Sequence, residues 1–154
     1  MILKQGIYSF LATILCIILL AGNIIYLIVV WSSLPEQIPG HYDFAGNVTR
    51  YDGRGTLLIV PVINVVLFIL LSVVERFPKL WNTGVRITEE NRVRVYRIIR
   101  NMLVTTKLTI VAVFVFISVT QSLSTGLPGW FIGVFFWLLL APIGFFIIKL
   151  IKAR

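Results

Sequence analysis

The residues of this chain best suited to binding chemistry lie together between positions 32 and 56. This segment contains the single histidine, His41, and three of the six acidic residues, Glu36, Asp43 and Asp52. In extended backbone, residues two apart point to one face, so His41 and Asp43 could present an imidazole and a carboxylate to a cation or a polar ligand. A complete zinc site would need a further ligand, for example Glu36 or Asp52. The alternative is that His41 bonds only its own loop backbone and Asp43 caps a turn.

A second set of candidate residues is basic and lies between positions 75 and 101. Thr88 is a candidate helix N-cap, and Glu89 and Glu90 follow it in the first turn. A helical pattern then places Val95, Ile98, Ile99, Met102 and Leu103 on one side and Arg94, Arg97, Arg100 and Asn101 largely on the other. The pattern predicts a basic amphipathic helix that leads into the next apolar stretch. Two interpretations stay open: arginines on lipid phosphates at the membrane surface, or a docking surface for a cytoplasmic protein.

The elements that must position these residues are membrane-spanning helices. The 154 residues are 58% hydrophobic and only 13% charged, whereas about 25% of the residues of a soluble domain are charged. This composition excludes a soluble domain and a disordered chain, and a single cysteine excludes an internal disulfide framework. We predict an all-α integral membrane protein, a single domain over 1–154, with four transmembrane helices at about 7–31, 57–74, 102–123 and 130–151.

Basic residues predict the orientation of these helices. With both termini inside, 12 of the 14 Lys and Arg residues fall on the cytoplasmic side, which is the distribution of the positive-inside rule. Residues 32–56 then form an outer loop, and residues 75–101 form a cytoplasmic loop. We expect a multi-pass protein of a bacterial cytoplasmic membrane that contacts lipids. Because no basic-aromatic recognition module is present, we expect no nucleic acid partner.

The outer loop is too long and too rich in turn formers to be a simple connector. Connections between helices in bundles are usually about 2–8 residues long, whereas this segment has 25 residues and includes Pro35, Pro39 and Gly46. We therefore expect it to be ordered and functional.

Polar residues inside the spans are expected to pack helices together. Lys107 is expected to reach the inner membrane face along its own stem, and Pro61 and Pro142 are expected to kink their helices. No acidic residue is predicted deep inside a span, which weakens the case for a proton-coupled transporter.

The outer loop also resembles a known family. The stretch LPEQIPGHYDFAG, from Leu34 to Gly46, resembles the signature of a bacterial membrane domain of unknown function found at the N-terminus of SdpI-type immunity and signalling proteins. The following YDGRGTLLIVPVIN is similar to that domain's run into its next helix, and ITEENRVRVYR looks like stand-alone members of the family. The resemblance extends from about Trp31 to Met102. The residues that carry the signature are Leu34, Pro35, Ile38, Pro39, His41, Tyr42, Asp43 and Gly46.

The resemblance implies a non-enzymatic protein without a cofactor. SdpI-type proteins protect the producing cell from its own secreted peptide toxin and are thought to hold a repressor at the membrane. For this chain we therefore expect the outer loop to bind a peptide toxin or another envelope ligand, and Arg94, Arg97 and Arg100 are the candidate residues if a cytoplasmic protein docks. The candidate ligand-binding residues are Glu36, His41, Tyr42, Asp43 and Asp52. The alternatives are a small transporter or permease subunit, and an outward-facing metalloenzyme that uses the histidine and the three acids.

Overall fold

The computed structural model describes residues 6–153 of the chain. Lys4 and Arg154, which entered the orientation argument, lie outside these residues. Within residues 6–153 there are four long α-helices, each long and apolar enough to cross a membrane, and the prediction of a multi-pass membrane protein is confirmed. The helices are α1, Ile7–Val30; α2, Ile59–Arg76; α3, Arg92–Ser122; and α4, Phe131–Ile151.

The helix α3 is the longest of these, and it joins two segments that the sequence separates by composition. It begins ten residues before the predicted span, at Arg92, so the basic stretch and the apolar stretch form one continuous helix. Its 31 residues correspond to a length of about 46 Å, which exceeds the roughly 30 Å hydrocarbon core. At least one end of α3 must therefore project beyond the hydrocarbon.

The predicted N-cap of α3 is displaced by one turn. Thr88 lies in a turn before the helix, where its backbone N–H donates to Asn91 Oδ1 at 2.8 Å and the Asn91 N–H donates to Thr88 Oγ1 at 3.2 Å. This reciprocal pair resembles a capping box, with Asn91 as the residue that adjoins the helix. Thr88 therefore makes the side-chain bond expected of an N-cap, in the turn that leads directly into the helix at Arg92.

The helices pack around α3. The chain direction of α1 is parallel to that of α3, because Tyr8 pairs with Thr105 at one end and Tyr26 pairs with Ser122 at the other, at 2.7 and 2.9 Å between hydroxyl oxygens. The helix α2 is antiparallel to α3 and contacts it along its length, and α4 packs mainly on α3. We refer below to the end of the bundle near Ser122 as the hairpin end and to the end near Arg92 as the arginine end.

The two proline predictions have different outcomes. Pro61 is the third residue of α2, where a backbone N–H has no partner within the helix in any case, so its ring requires no kink. The expected kink at this position was wrong. Pro142 lies inside α4, where the carbonyl four residues earlier loses its donor.

The segment between α1 and α2 folds as a β-hairpin, so the prediction of an all-α protein was wrong for this segment. Its strands are β1, Gln37–Tyr42, and β2, Val48–Gly53, which pair antiparallel. The register shifts on either side of His41, so that Gly40 and Thr49 have no direct partner across the strands. Such bulges bend a strand and redirect its side chains. Short 3₁₀ turns at Trp31–Ser33 and Arg54–Leu58 connect the hairpin to the two helices.

The hairpin is fixed to the helices beneath it. Gln121 Nε2 on α3 donates a 2.6 Å hydrogen bond to the carbonyl oxygen of Pro39, and the Leu127 N–H donates a 2.8 Å bond to the carbonyl oxygen of Gly46. Ile38 and Leu57 are fully buried in one apolar cluster with Leu27 and Leu34. The segment is therefore an ordered cap on the bundle, as its turn residues predicted.

At the arginine end, the apolar side of the first turns of α3 is covered by the chain itself. Val95 and Ile99 are buried in a cluster with Ala153. The partly buried residues around this cluster are Trp81, Val85, Ile87, Ile98, Leu103 and Leu150. The expected amphipathic helix exists, but its apolar side packs on other segments of the protein rather than on lipid.

Candidate functional site

His41 projects from the hairpin with one ring nitrogen held in place. Its Nδ1 lies 2.7 Å from Thr49 Oγ1, and the Thr49 hydroxyl also lies 3.3 Å from the His41 carbonyl oxygen, to which it donates. The side chain is exposed. Within residues 6–153, Nε2 has no hydrogen-bond partner. The hairpin therefore orients an imidazole and leaves its second nitrogen available, an arrangement that suits recognition of a polar group.

Asp43 has a structural role in the turn between the two strands. Its carboxylate accepts hydrogen bonds from the backbone N–H of Asn47 at 2.8 Å and from Asn47 Nδ2 at 3.0 Å. These bonds lower the pKa of Asp43, the side-chain bond contributing most, because they stabilise its charged form. The prediction that Asp43 caps a turn is the alternative that the structure favours over a shared site with His41.

The remaining acids of the segment point elsewhere. Asp52 Oδ2 pairs with Arg50 at 2.9 Å, and its side chain lies over Gly40, where a Cβ would collide with it. Glu36 precedes β1, and the six residues of β1 separate it from the turn by roughly 20 Å. Among residues 6–153, no group of three or more His, Cys, Asp or Glu side chains is placed to hold a metal ion. The third zinc ligand suggested by the sequence is therefore not assembled here.

Tyr42 is part of the contact between the hairpin and the helices. Its ring packs on the cluster formed by Val113, Leu127 and Phe131, and its hydroxyl donates a 3.4 Å hydrogen bond to the carbonyl oxygen of Thr125. Burial raises the pKa of this phenol, since burial disfavours the phenolate. The structure thus places Tyr42 in the anchor of the hairpin rather than on its exposed surface.

Two exposed aromatic residues on the hairpin were missed in the sequence argument. Phe44, at the turn, is 89% exposed, and Tyr51, on β2, is 55% exposed. Large aromatic side chains supply much of the binding energy at protein interfaces. A single exposed aromatic side chain is common, however, and does not by itself indicate a binding surface. Both lie in the hairpin that carries His41, Phe44 three residues after it and Tyr51 opposite Pro39 across the strands, and this makes them candidates. No sequence signal separates them from the many other aromatics of the chain.

The candidate docking arginines lie at the arginine end. Arg94 and Arg97 are exposed, and within residues 6–153 neither forms an ion pair with an acidic side chain. Arg100 is half-buried. The environment of Arg100 therefore differs from that of Arg94 and Arg97, whose guanidinium groups are exposed.

A second site lies inside the bundle, and here the sequence argument was wrong. Lys107 does not reach the membrane face: it is only 1% exposed, and its Nζ pairs with Glu75 Oε2 at 2.7 Å. The helix α2 continues to Arg76, so Glu75 belongs to the helix and is buried against its neighbours. A buried acid is therefore present in the last turn of α2, just beyond the predicted span, and the expectation of no acidic residue deep inside a span did not anticipate it.

Groups from three helices surround this ion pair. Lys107 Nζ also lies 3.3 Å from Thr13 Oγ1 and from Ser72 Oγ, to which it donates. The Ser9 hydroxyl donates a 2.5 Å hydrogen bond to Glu75 Oε1. Because every strong polar atom of the pair has a partner, the two charges can stay together away from water. Ionisable residues are rare inside membrane bundles because burying a charge is costly, and those that occur are therefore candidates for functional sites.

Comparison with known families identifies one part of the chain. Residues 18–65 match the family model of a domain of unknown function, DUF1648, which is the domain found in SdpI-type proteins. The match extends from the middle of α1 through the hairpin into α2, so the resemblance expected from the hairpin sequence is confirmed for this segment. No curated protein and no solved structure matches the chain.

Proposed function

We propose that this protein is a non-enzymatic receptor or immunity protein of a bacterial cytoplasmic membrane, and that the hairpin is its ligand-binding surface. The distribution of basic residues favours the hairpin on the outside and the arginine end in the cytoplasm. The presence of the DUF1648 segment in SdpI-type proteins supports a peptide toxin or a related envelope peptide as the ligand.

The observation that carries this proposal is the geometry of His41. Thr49 holds Nδ1, Nε2 has no partner among the described residues, and the strand beneath is clamped to α3 through Gln121. A polar group on a rigid support loses little conformational freedom when a ligand binds. Phe44 and Tyr51 add exposed aromatic surface elsewhere on the same hairpin.

The structure also suggests how occupancy of the hairpin would affect the other end. Gln121 belongs to the last turn of α3, and Arg94 and Arg97 belong to its first turns. A shift of the hairpin would therefore act on the same helix that presents the arginines.

Replacing Arg94 and Arg97 by lysine tests whether a cytoplasmic protein docks on them, because lysine retains the charge but not the planar bidentate contact. If a cytoplasmic protein binds there, the Lys variant should recover less of it in a pull-down, and equal recovery would exclude the docking role.

A survival assay tests the ligand-binding proposal. A bacterium sensitive to secreted peptide toxins is transformed with the wild-type chain or a variant and exposed to medium from a toxin-producing culture. Wild type should protect the cells, and His41→Ala should lose protection at unchanged expression and melting temperature. Gln37→Ala is the matched control, because Gln37 is an exposed residue at the end of β1 far from the turn and is not a candidate ligand-binding residue. Wild-type cells that die as fast as the empty-vector cells, or a His41→Ala variant that protects fully, would contradict the proposal.

The buried ion pair supports a second candidate, a small ion-coupled transporter. A carboxylate and an ammonium in contact within the bundle are the kind of groups that proton relays use in membranes. Vesicles that contain the purified protein and an internal pH dye would acidify under an imposed gradient if the pair conducts protons. The double variant Glu75→Gln/Lys107→Met, which removes both charges together, should abolish the flux, and a wild-type rate equal to that of empty vesicles would exclude this candidate.

A further inference from the structure

A groove lined entirely by apolar side chains lies between α1 and α2 at the hairpin end. Its volume is about 600 Å³, within the range of roughly 300–1,000 Å³ typical of small-ligand sites. One wall is formed by residues of α1 with the adjoining 3₁₀ turn, and the other by residues of α2 with the turn before it. The main wall residues are Ile24, Ile28, Trp31, Leu58, Val62 and Val66.

A cation stands at the mouth of this groove. The Arg54 guanidinium lies over the Trp31 ring, with its Cζ 5.8 Å from the ring centroid. Arg54 is exposed, and within residues 6–153 it forms no ion pair with an acidic side chain. In contrast, Arg50 on the same hairpin is paired with Asp52. The groove thus combines an apolar interior with one unneutralised positive charge where it meets the hairpin.

The length of the groove limits what can occupy it. From Ile24 to Trp31 the helix rises by about 10 Å, and from Leu58 to Val66 by about 12 Å. This is less than the roughly 15 Å of hydrocarbon in one leaflet, which is half of the full core. Val65, which lines the groove, and Phe68, one turn further along α2, pack against the cluster of Cys16, Leu20 and Val111. A spanning helix of a second copy could contact the groove over only a small part of the full hydrocarbon core, whereas the groove has room for most of one acyl chain of a single leaflet.

From these observations we propose that the groove binds an anionic phospholipid of the hairpin-side leaflet, with one acyl chain between α1 and α2 and the phosphate group on Arg54. The apolar walls of the groove match the acyl chain of such a lipid, and the Arg54 guanidinium matches its phosphate group. This site is separate from the exposed hairpin residues, so its failure leaves the proposed ligand-binding surface untouched.

Native mass spectrometry of the purified protein tests the site with two defined lipids. The protein in mild detergent is equilibrated with equal amounts of phosphatidylglycerol and phosphatidylcholine of the same acyl chains. Wild type should retain one phosphatidylglycerol with a preference of about fivefold, the effect of one basic residue near an anionic lipid. Arg54→Gln should lose this preference, and Arg50→Gln, with its charge already paired, should keep it. Equal retention of the two lipids by wild type would overturn the phosphate contact.

Filling the groove tests the acyl-chain contact. Val62→Trp places an indole in the groove, and it should abolish retention of the lipid. Ile69→Trp is the matched control, because Ile69 is an exposed residue of the same helix two turns below and outside the groove. Circular dichroism of both variants checks that helix content is unchanged. Retention by Val62→Trp equal to that of the control, or a protein dimer that Val62→Trp dissociates, would show that the occupant is not a lipid chain.

Quenching of Trp31 provides an independent readout. In a variant in which Trp81, Trp130 and Trp137 are phenylalanine, Trp31 alone fluoresces, and it lines the groove. Phosphatidylglycerol with brominated acyl chains should quench it in a saturable way that unbrominated phosphatidylglycerol reverses. Quenching that rises only in proportion to bulk brominated lipid would contradict a bound lipid.

Discussion

Replacing Lys107 by methionine should strongly destabilise the bundle. Methionine has a similar length but no charge, so the Glu75 carboxylate would keep only the Ser9 hydroxyl as a donor. Removing one partner of a buried ion pair typically costs about 3–5 kcal/mol. Polar contacts between membrane helices are worth roughly 0.6–2 kcal/mol each, and the reference state in detergent also solvates the charge in part. We therefore expect a loss near the lower limit, about 3 kcal/mol.

A double-mutant cycle separates the pair from its surroundings. Glu75→Gln alone leaves the Lys107 ammonium with two hydroxyl acceptors, Thr13 and Ser72, and should also destabilise. The double variant Glu75→Gln/Lys107→Met removes both charges, so it should recover about 2 kcal/mol relative to the sum of the single changes.

The assay is equilibrium unfolding in mixed micelles of dodecyl maltoside and dodecyl sulfate, followed by circular dichroism. Lys149→Met is the matched control, because Lys149 is exposed near the end of α4 and has only a ring contact with Phe145, at 4.5 Å. Its effect should stay within about 0.5 kcal/mol. A Lys107→Met variant as stable as this control would refute the assignment of a buried, charged pair.

Two further predictions concern the hairpin. Gly46 has a φ of +87°, and a Cβ there would collide with the Leu127 carbonyl oxygen, so Gly46→Ala should lower the melting temperature by several degrees, whereas Gly53→Ala, with open space around it, should not. A Gly46→Ala melting temperature equal to that of Gly53→Ala would contradict the docking of the turn. Because the pKa of Asp43 is lowered in the fold, its contribution is complete above the ordinary pKa of aspartate and is lost as the pH falls through the lowered value. The hydrogen-exchange protection factor of the Asn47 amide should therefore fall in this acidic range in wild type but not in Asp43→Ala, and a pH-independent wild-type factor would argue against the bond.

The helices could be predicted from the sequence because the bilayer imposes them. In a bilayer, a long apolar run has to satisfy its backbone polar groups internally. The apolar runs that end near Trp31 and Ile151 therefore form helices with nearly the predicted bounds. The amphipathic pattern also predicted the helix at the start of α3, but not its contacts. Val95 and Ile99 in its first turns pack on Ala153, which is distant in sequence.

The hairpin could not be predicted because two of its strand residues argue against a strand. Pro39 cannot donate to a ladder and Gly40 weakens one, and the structure accommodates both through an irregular register and a side-chain bond from Gln121. The family signature located this segment without its geometry. The signature and the residue spacing grouped His41 with Asp43 and Tyr42, whereas in the structure Asp43 bonds within the turn and Tyr42 packs on the helices.

The buried ion pair was missed for a similar reason. Glu75 stands at the end of an apolar run beside Arg76, where it has the appearance of a loop residue. Its burial depends on Lys107, which is 32 residues later. Local hydropathy cannot predict such a pairing, because the attraction between Glu75 and Lys107 exists only when α2 and α3 are packed together.

The proposed receptor function requires that the hairpin face the outside of the cell, and labelling with an impermeant thiol reagent tests this orientation directly. Cysteine is introduced singly at Ala45, an exposed residue of the hairpin turn, or at Asn82, an exposed residue of the arginine end. The native Cys16 is fully buried, so it contributes little background. In intact cells the Ala45→Cys variant should be labelled, and the Asn82→Cys variant should be labelled only after the membrane is opened. Labelling of Asn82→Cys but not of Ala45→Cys in intact cells would invert the topology and contradict a ligand surface on the outside.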